Sequence, residues 1–315
     1  MSLAQKLTSI KFPHFITLLG LIVDVSAKSQ TIANPAIKSI VQHDESRCIE
    51  LTDPDGWGVG VREPGYYCLD QDLHQSWPMI RFPHQRLPLS SLISIYGGGV
   101  TIDLKGHRLS STTPINSGIF TNISGDDKTL PITIKNGTIT TLKTPAVAMI
   151  DAWNLENHRF GRSYGLAASH GDFSKYKPTV FILENLTLKS NQHVVIMQGK
   201  RNIIRNCTIV GGNGTINLYG PNLLFEGNTI VLDAKSPKEP GNEPPVALYL
   251  EDAADSVVRN NKIVIKGSGV LNPQAIVVAN SPNILLEHNI IRGTKIIYKL
   301  LDQRSSVKDL ANDAR

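Results

Sequence analysis

The sequence predicts an all-β chain wound as a single-stranded parallel β-helix solenoid with short capping helices. Three observations carry this prediction. One eight-residue line recurs six times, apolar residues alternate within each copy, and successive copies stand 21 residues apart where nothing is inserted between them. Composition agrees: 41% hydrophobic residues supply a core for one large or two small domains, aromatics are only 6%, and Gly, Asn, Thr and Ile recur. The net charge of +5 permits a polyanionic partner without requiring one.

In chain order, residues 1–27 read as an export signal. Lys6 and Lys11 make a positive start, Phe15 to Val23 an apolar segment too short to span a bilayer, and Val25-Ser26-Ala27 a small-residue cleavage site. Residues 28–60 form an N-terminal segment and cap, with a short helix near 34–43 opened by Asn34 and Pro35. Cys48 and Cys68 flank the Gly-rich stretch DGWGVG and are candidates for a disulfide, worth roughly 3 kcal/mol by loop-closure entropy. Two unpaired thiols are the alternative. Cys207 lies inside a repeat and reads as a small buried thiol. No Cys or His stands at ligand spacing from any of the three, so no metal site is assigned.

Residues 61–298 carry the coil. The line appears as ITIKNGTI from Ile132, FILENLTL from Phe181, NIIRNCTI from Asn202, LLFEGNTI from Leu223, SVVRNNKI from Ser256 and ILLEHNII from Ile284. Its two-residue alternation sets Ile134, Leu183, Ile204, Phe225, Val258 and Leu286 on one side of a strand. The fifth position reads Asn136, Asn185, Asn206, Gly227, Asn260 and His288, residues suited to a left-handed bend. Three short strands and their turns use roughly 20 residues, so each repeat is one rung. The fourth position reads Lys135, Glu184, Arg205, Glu226, Arg259 and Glu287. Stacked about 4.8 Å apart, these form an alternating charge ladder that resists a one-coil slip, which argues for structural rather than catalytic glutamates. VTIDLKGHRL from Val100 is an earlier rung. Residues 299–315 are a C-terminal helix or tail, with Ser305 or Ser306 capping a helix through Ala311.

These repeats, with VTIDLKGHRL and the Asn-Thr-Ile column, resemble the right-handed parallel β-helix proteins of the pectin lyase-like superfamily over roughly residues 60–298. The resemblance implies a right-handed coil and an association with polysaccharides. It does not fix an activity, because that superfamily includes lyases, hydrolases, epimerases, tailspikes and noncatalytic proteins.

The departures from the 21-residue period locate a working face. Extra residues fall after the strand AVAMID and before the strands VALYLE and AIVVAN, all at one strand column, while the Asn turn is not lengthened. A ligand is therefore expected over Asn122, Asp151, Gln198, Asn217, Tyr219, Tyr249, Glu251 and Asn280, in a register good to one residue; an ordinary solvated sheet face is the alternative.

The longest insertion crowds together His158, Arg159, Arg162, Tyr164, His170 and Asp172, the candidate catalytic set. β-Elimination of a uronate needs a group that neutralises the carboxylate, either Arg or a calcium ion, and a base that takes the C5 proton. No other cofactor is expected. Hydrolysis would instead use paired acids about 5 to 9.5 Å apart, for which Asp151 with Asp172 or Glu251 with Asp252 are available. The paired-Asp and Gly-His-Gly motifs of β-helix polygalacturonases and the calcium and Arg signatures of pectate lyases are absent. The expectation is an exported protein, secreted or periplasmic, that recognises an acidic polysaccharide and acts as a lyase or epimerase if catalytic. The alternative is a noncatalytic solenoid binding glycan or a cell-envelope partner. No nucleic acid and no membrane-spanning segment beyond the leader are expected, and the oligomeric state stays open.

Overall fold

The computed structural model describes residues 47–53, 58–76, 91–114, 117–123, 130–151, 180–212, 214–233, 244–267 and 273–315. All belong to the unit Val41–Arg315. The expected leader, the helix near 34–43 and the whole insertion 152–179 lie outside the described residues.

Every strand pairing among the described residues is parallel, and none of these residues is helical. Two sheets result, of 17 and nine strands. The larger holds two columns that meet at the Asn bend. The first column climbs from Ile49–Glu50 to Val307–Leu310, and the second from Leu73–Gln75 to Asp313–Ala314. The third column, the nine-stranded sheet, runs from Val59–Val61 to Tyr298–Leu300. The strands Ile132–Thr140 and Phe181–Ser190 pass through the bend unbroken.

Alternation drives the coil. Ile134, Leu183, Ile204, Phe225, Val258 and Leu286 stack in register and are fully buried in one continuous core. At about 25 cal/mol per Å² of apolar surface, each such side chain stabilises the fold by about 1.5–3 kcal/mol. The bend is left-handed where expected: φ is 59° at Asn136, 54° at Asn185 and Asn206, 66° at Gly227, 56° at Asn260 and 51° at His288. A Cβ at Gly227 would lie 2.8 Å from Asn206 Oδ1, the end of a side chain that would have to turn aside. The charge ladder also forms, with Glu184–Arg205 at 2.9 Å and Glu226–Arg259 at 2.8 Å, and it begins one rung lower with Asp103–Lys135 at 3.7 Å. Asp103 further accepts from Tyr66 Oη at 2.7 Å.

A second ladder stands one residue past the bend, inside the coil. Asn228, Asn261 and Asn289 are buried, and each Nδ2 donates to the Oδ1 of the asparagine above, ending at Asn312, at 3.1, 2.9 and 2.8 Å. The backbone N–H of each donates to the same oxygen, and Cys207 N–H donates to Asn228 Oδ1 from below. Cys207 is a buried thiol, as its place in the repeat suggests, and burial pushes its pKa up to about 12.

The chain ends differently from expectation. Val307–Leu310 is a strand of the first column, not a helix, and Asp313–Ala314 pairs in the second. VKDLANDA is a further copy of the repeat: Ala311 takes the left-handed bend at φ 51°, and Asn312 tops the interior ladder. Ser305 and Ser306, rather than capping a helix, accept through Oγ from the backbone N–H groups of Ser281 and Asn283. The coil therefore extends past residue 298. At the other end Ile49–Glu50 pairs with Tyr67–Cys68, and Cys48 is joined to Cys68 by a disulfide. The two lowest rungs have wider bends, and in the second Leu104 fills the space; Gly137 sits above, where a Cβ would come within 2.4 Å of Leu104 Cβ.

Candidate functional site

The third column is the one whose strands the insertions enter and leave. Its inward positions, such as Val195, Ile216, Leu248 and Ile276, belong to the core. The alternate positions face out in two parallel rows. One row reads Ala148, Ile196, Asn217, Tyr249 and Val277; the other, two residues further along each strand, reads Gln198, Tyr219, Glu251 and Ala279.

Five of the eight expected ligand residues therefore share one outer face: Gln198, Asn217, Tyr219, Tyr249 and Glu251. Asn122 pairs with Ile150 and occupies the parity of the second row, whereas Asp151 pairs with Ile123 and is one residue out of step. Asn280 lies beyond the strand Gln274–Ala279, at a left-handed corner with φ 47°. It serves the corner: its Nδ2 donates to Asp252 Oδ1, and its backbone N–H donates to Asp302 Oδ2 at 2.6 Å. The catalytic candidates His158, Arg159, Arg162, Tyr164, His170 and Asp172 all lie outside the described residues.

The face is buried rather than solvated. Asn217 is 4% and Glu251 5% exposed, and the outer surfaces of Tyr219, Tyr249, Val246, Val277 and Ala279 pack together. The rings of Tyr219 and Tyr249 meet edge to face with centroids 6.2 Å apart. Phe120 and Ala148 continue the apolar surface lower down.

Against this surface two amide oxygens, Gln198 Oε1 and Asn217 Oδ1, are buried with no hydrogen-bond partner. A buried acceptor left unmatched costs about 1–3 kcal/mol, so such atoms are rare. A third, Thr121 Oγ1, belongs to the other side of the sheet, in register with Met149 and Ile95. Asn217 Nδ2 donates to His193 Nδ1 at 3.4 Å. Burial pushes the His193 pKa down, against an opposing contribution from the Gly214 backbone, so the ring is a neutral acceptor near pH 7.

Glu251 accepts from Tyr249 Oη at 3.1 Å. Burial, then the charge of Asp252 and more weakly that of Asp302, push its pKa up to about 7 against the Tyr249 hydrogen bond. Asp302 goes the other way: burial raises it, but hydrogen bonds from Asn280, Ser305 and Arg304 outweigh that and hold it below the ordinary value. Glu251 can thus hold or release a proton near neutrality, while Asp302 stays ionised.

Sequence reasoning missed His193 and Asp302. His193 precedes the strand Val195–Gln198, where its proximity to the face depends on the corner, and Asp302 lay in a segment read as helix or tail. Among the described residues no group of three or more His, Cys, Asp or Glu side chains is arranged to hold a metal ion, and no helix is long and apolar enough to cross a membrane.

No curated protein and no solved structure matches this chain. A family model described as "Right handed beta helix region" matches residues 92–307, more than half of the sequence. Stacked parallel strands, left-handed Asn bends and the family match agree, and the chain belongs to the right-handed β-helix family.

Proposed function

We propose that this chain recognises a glycan on the outer face of the third column, over Gln198, Asn217, Tyr219, Tyr249 and Glu251. One observation carries the reading: two buried amide oxygens without partners flank a tyrosine pair on the outer face of the third column. Saccharide hydroxyls are donors that match such acceptors, and the weakly polar face of a pyranose packs on an aromatic ring. Supplying a donor to each oxygen recovers the 1–3 kcal/mol lost by burying it unmatched, about tenfold in affinity or more.

An acidic polysaccharide, export from the cell and β-elimination remain the form of this reading that draws on the leader and on the basic side chains of 152–179. The described face itself offers carboxyls and amide oxygens, which suit a neutral or donor-rich saccharide better. A catalytic role has one observation in its favour, the proton that Glu251 can exchange near neutral pH. A noncatalytic solenoid holding glycan would need only the acceptors and the rings.

Isothermal titration against neutral, amino and uronic oligosaccharides tests the binding. Asn217→Ala and Gln198→Ala should each weaken it about tenfold. Unchanged affinity in both variants, or no glycan bound by the native chain, would remove the reading. Incubating the protein with alginate, pectate and glycosaminoglycans while following the absorbance of an unsaturated uronate tests the lyase form separately.

A further inference from the structure

We propose that the upper part of this face is an ammonium subsite, in which Glu251 receives the protonated amine of a hexosamine unit whose hydroxyls reach Asn217 and Gln198. The inference rests on the glycan reading and names the chemistry of the ligand. Glu251 stands in the second row with Tyr219 one rung below and Ala279, the smallest side chain of that row, one rung above. Its described hydrogen-bond donor is the Tyr249 hydroxyl, and it forms no ion pair with any described Lys, Arg or His.

Every other charged or titratable group described around it fails to supply a cation. Asp252 follows it at the corner just past the strand, and Asp302 reaches the same corner from the next rung. Tyr249 donates to it, Tyr219 lies beneath, and His193, beyond Asn217, is neutral. Lys299 is exposed three rungs above Asn217 and two above Tyr249, in register with Val277. The site thus sets acceptor oxygens and carboxyls together in a buried place, and the independent sign that a ligand belongs there is the pair of unmatched amide oxygens, each more than nine-tenths buried. A buried carboxyl that lacks enough donors either keeps its proton or is stabilised as the carboxylate by a paired, hydrogen-bonded cation, and a ligand ammonium brings both the charge and up to three donors. A ligand carboxylate would meet like charge. An acetylated amine would bring one donor and no charge.

The test compares fully deacetylated with fully acetylated chito-oligosaccharides of equal length, by titration into the native chain at low salt near neutral pH. The deacetylated oligomer is expected to bind about tenfold more tightly or better, with a preference that shrinks in high salt. E251Q, which keeps the shape of the side chain, should bring the two oligomers within about twofold. Equal affinities for the native protein, tighter binding of a uronate oligomer, or an undiminished preference in E251Q would overturn the subsite. The comparison in native protein decides the matter even where E251Q folds poorly. Acetylated oligomer bound without any preference for the amine sinks only this inference, whereas no saccharide bound at all sinks the glycan reading and this inference with it.

Discussion

Two sets of buried amides stand on the two sides of one coil and behave in opposite ways. Inside, Asn228, Asn261, Asn289 and Asn312 hold each other and the backbone, with every described amide group matched. Outside, on the third column, Asn217 and Gln198 each leave an oxygen without a partner. The residue types are alike, and so is the burial except at the half-buried Asn312; the difference is that the interior amides repeat at one position from rung to rung while the outer ones do not. A polar group that recurs in register is satisfied by its own copies, and one that occurs once in a buried row must find its partner elsewhere.

The largest effect should come from breaking the interior set in its middle. Asn261→Leu removes the acceptor of Asn228 N–H and Nδ2, takes the side-chain donor from Phe225 C=O, and leaves Asn289 Oδ1 with only the backbone N–H of residue 261. A loss of about 3–5 kcal/mol is expected from several buried groups orphaned at once, read as a lower urea midpoint. Asn217→Ala on the outer face should cost about 1 kcal/mol or less, because it deletes an acceptor that is already unmatched and, with it, one long hydrogen bond of 3.4 Å to His193. Equal losses in the two variants would dissolve the contrast.

Glu251 gives the next effect, and its sign follows from burial. Its pKa rises from 4.5 to about 7 on folding, so the folded state holds this proton more tightly than the unfolded chain. The stability this group contributes is full below about pH 4.5, declines as the pH rises, and is gone above about pH 7. Over that interval the change is on the order of 3 kcal/mol. Asp302, whose pKa is lowered from 3.8, acts in a more acid range and in the opposite sense. Urea unfolding of the native chain and of E251Q at intervals from pH 4.5 to 7.5 isolates the contribution: the native curve should fall relative to the variant as pH rises. Parallel curves would mean that the carboxyl titrates as an exposed one does.

How much of this could be read from the sequence follows from the same contrast. The bend, the core stripe and the charge ladder were legible, because each fills one position of the repeat from Ile132 upward. The interior asparagines were not, since their position reads Gly137, Leu186 and Cys207 before it becomes Asn228, and only stacking shows that they align. The last rung was hidden because nothing described lies above it: Lys308 and Asp309 stand where lower rungs alternate apolar residues, so VKDLANDA lost the pattern that identifies a strand. For the face, alternation gave five of the eight residues and failed where strands end. Asp151 falls on the wrong parity, and Asn280 falls past the corner. The burial of Glu251, which makes it chemically distinctive, depends on what surrounds an outward position and leaves no mark in the periodicity.

The smallest effect concerns the charge ladder, and it asks whether the rungs are pairs or a column. The close contacts are pairwise, Asp103–Lys135, Glu184–Arg205 and Glu226–Arg259. Backbone register nonetheless places Arg205 beside Glu226 and Arg259 beside Glu287 as well. E226R should lose about 1 kcal/mol or less, since Arg259 and Glu226 are partly solvated. Exchanging both partners, E226R with R259E, rebuilds the pair but sets each of its members against a like charge in the neighbouring rung. If only pairs matter, the double variant recovers the full loss at any ionic strength. If the column matters, recovery is partial at low salt and completes as salt is added, because charges on adjacent rungs interact through solvent that screens them within about 10 Å at 0.1 M. Register places opposite charges against each other on both sides of Arg205, Glu226 and Arg259, and the second outcome is the expected one.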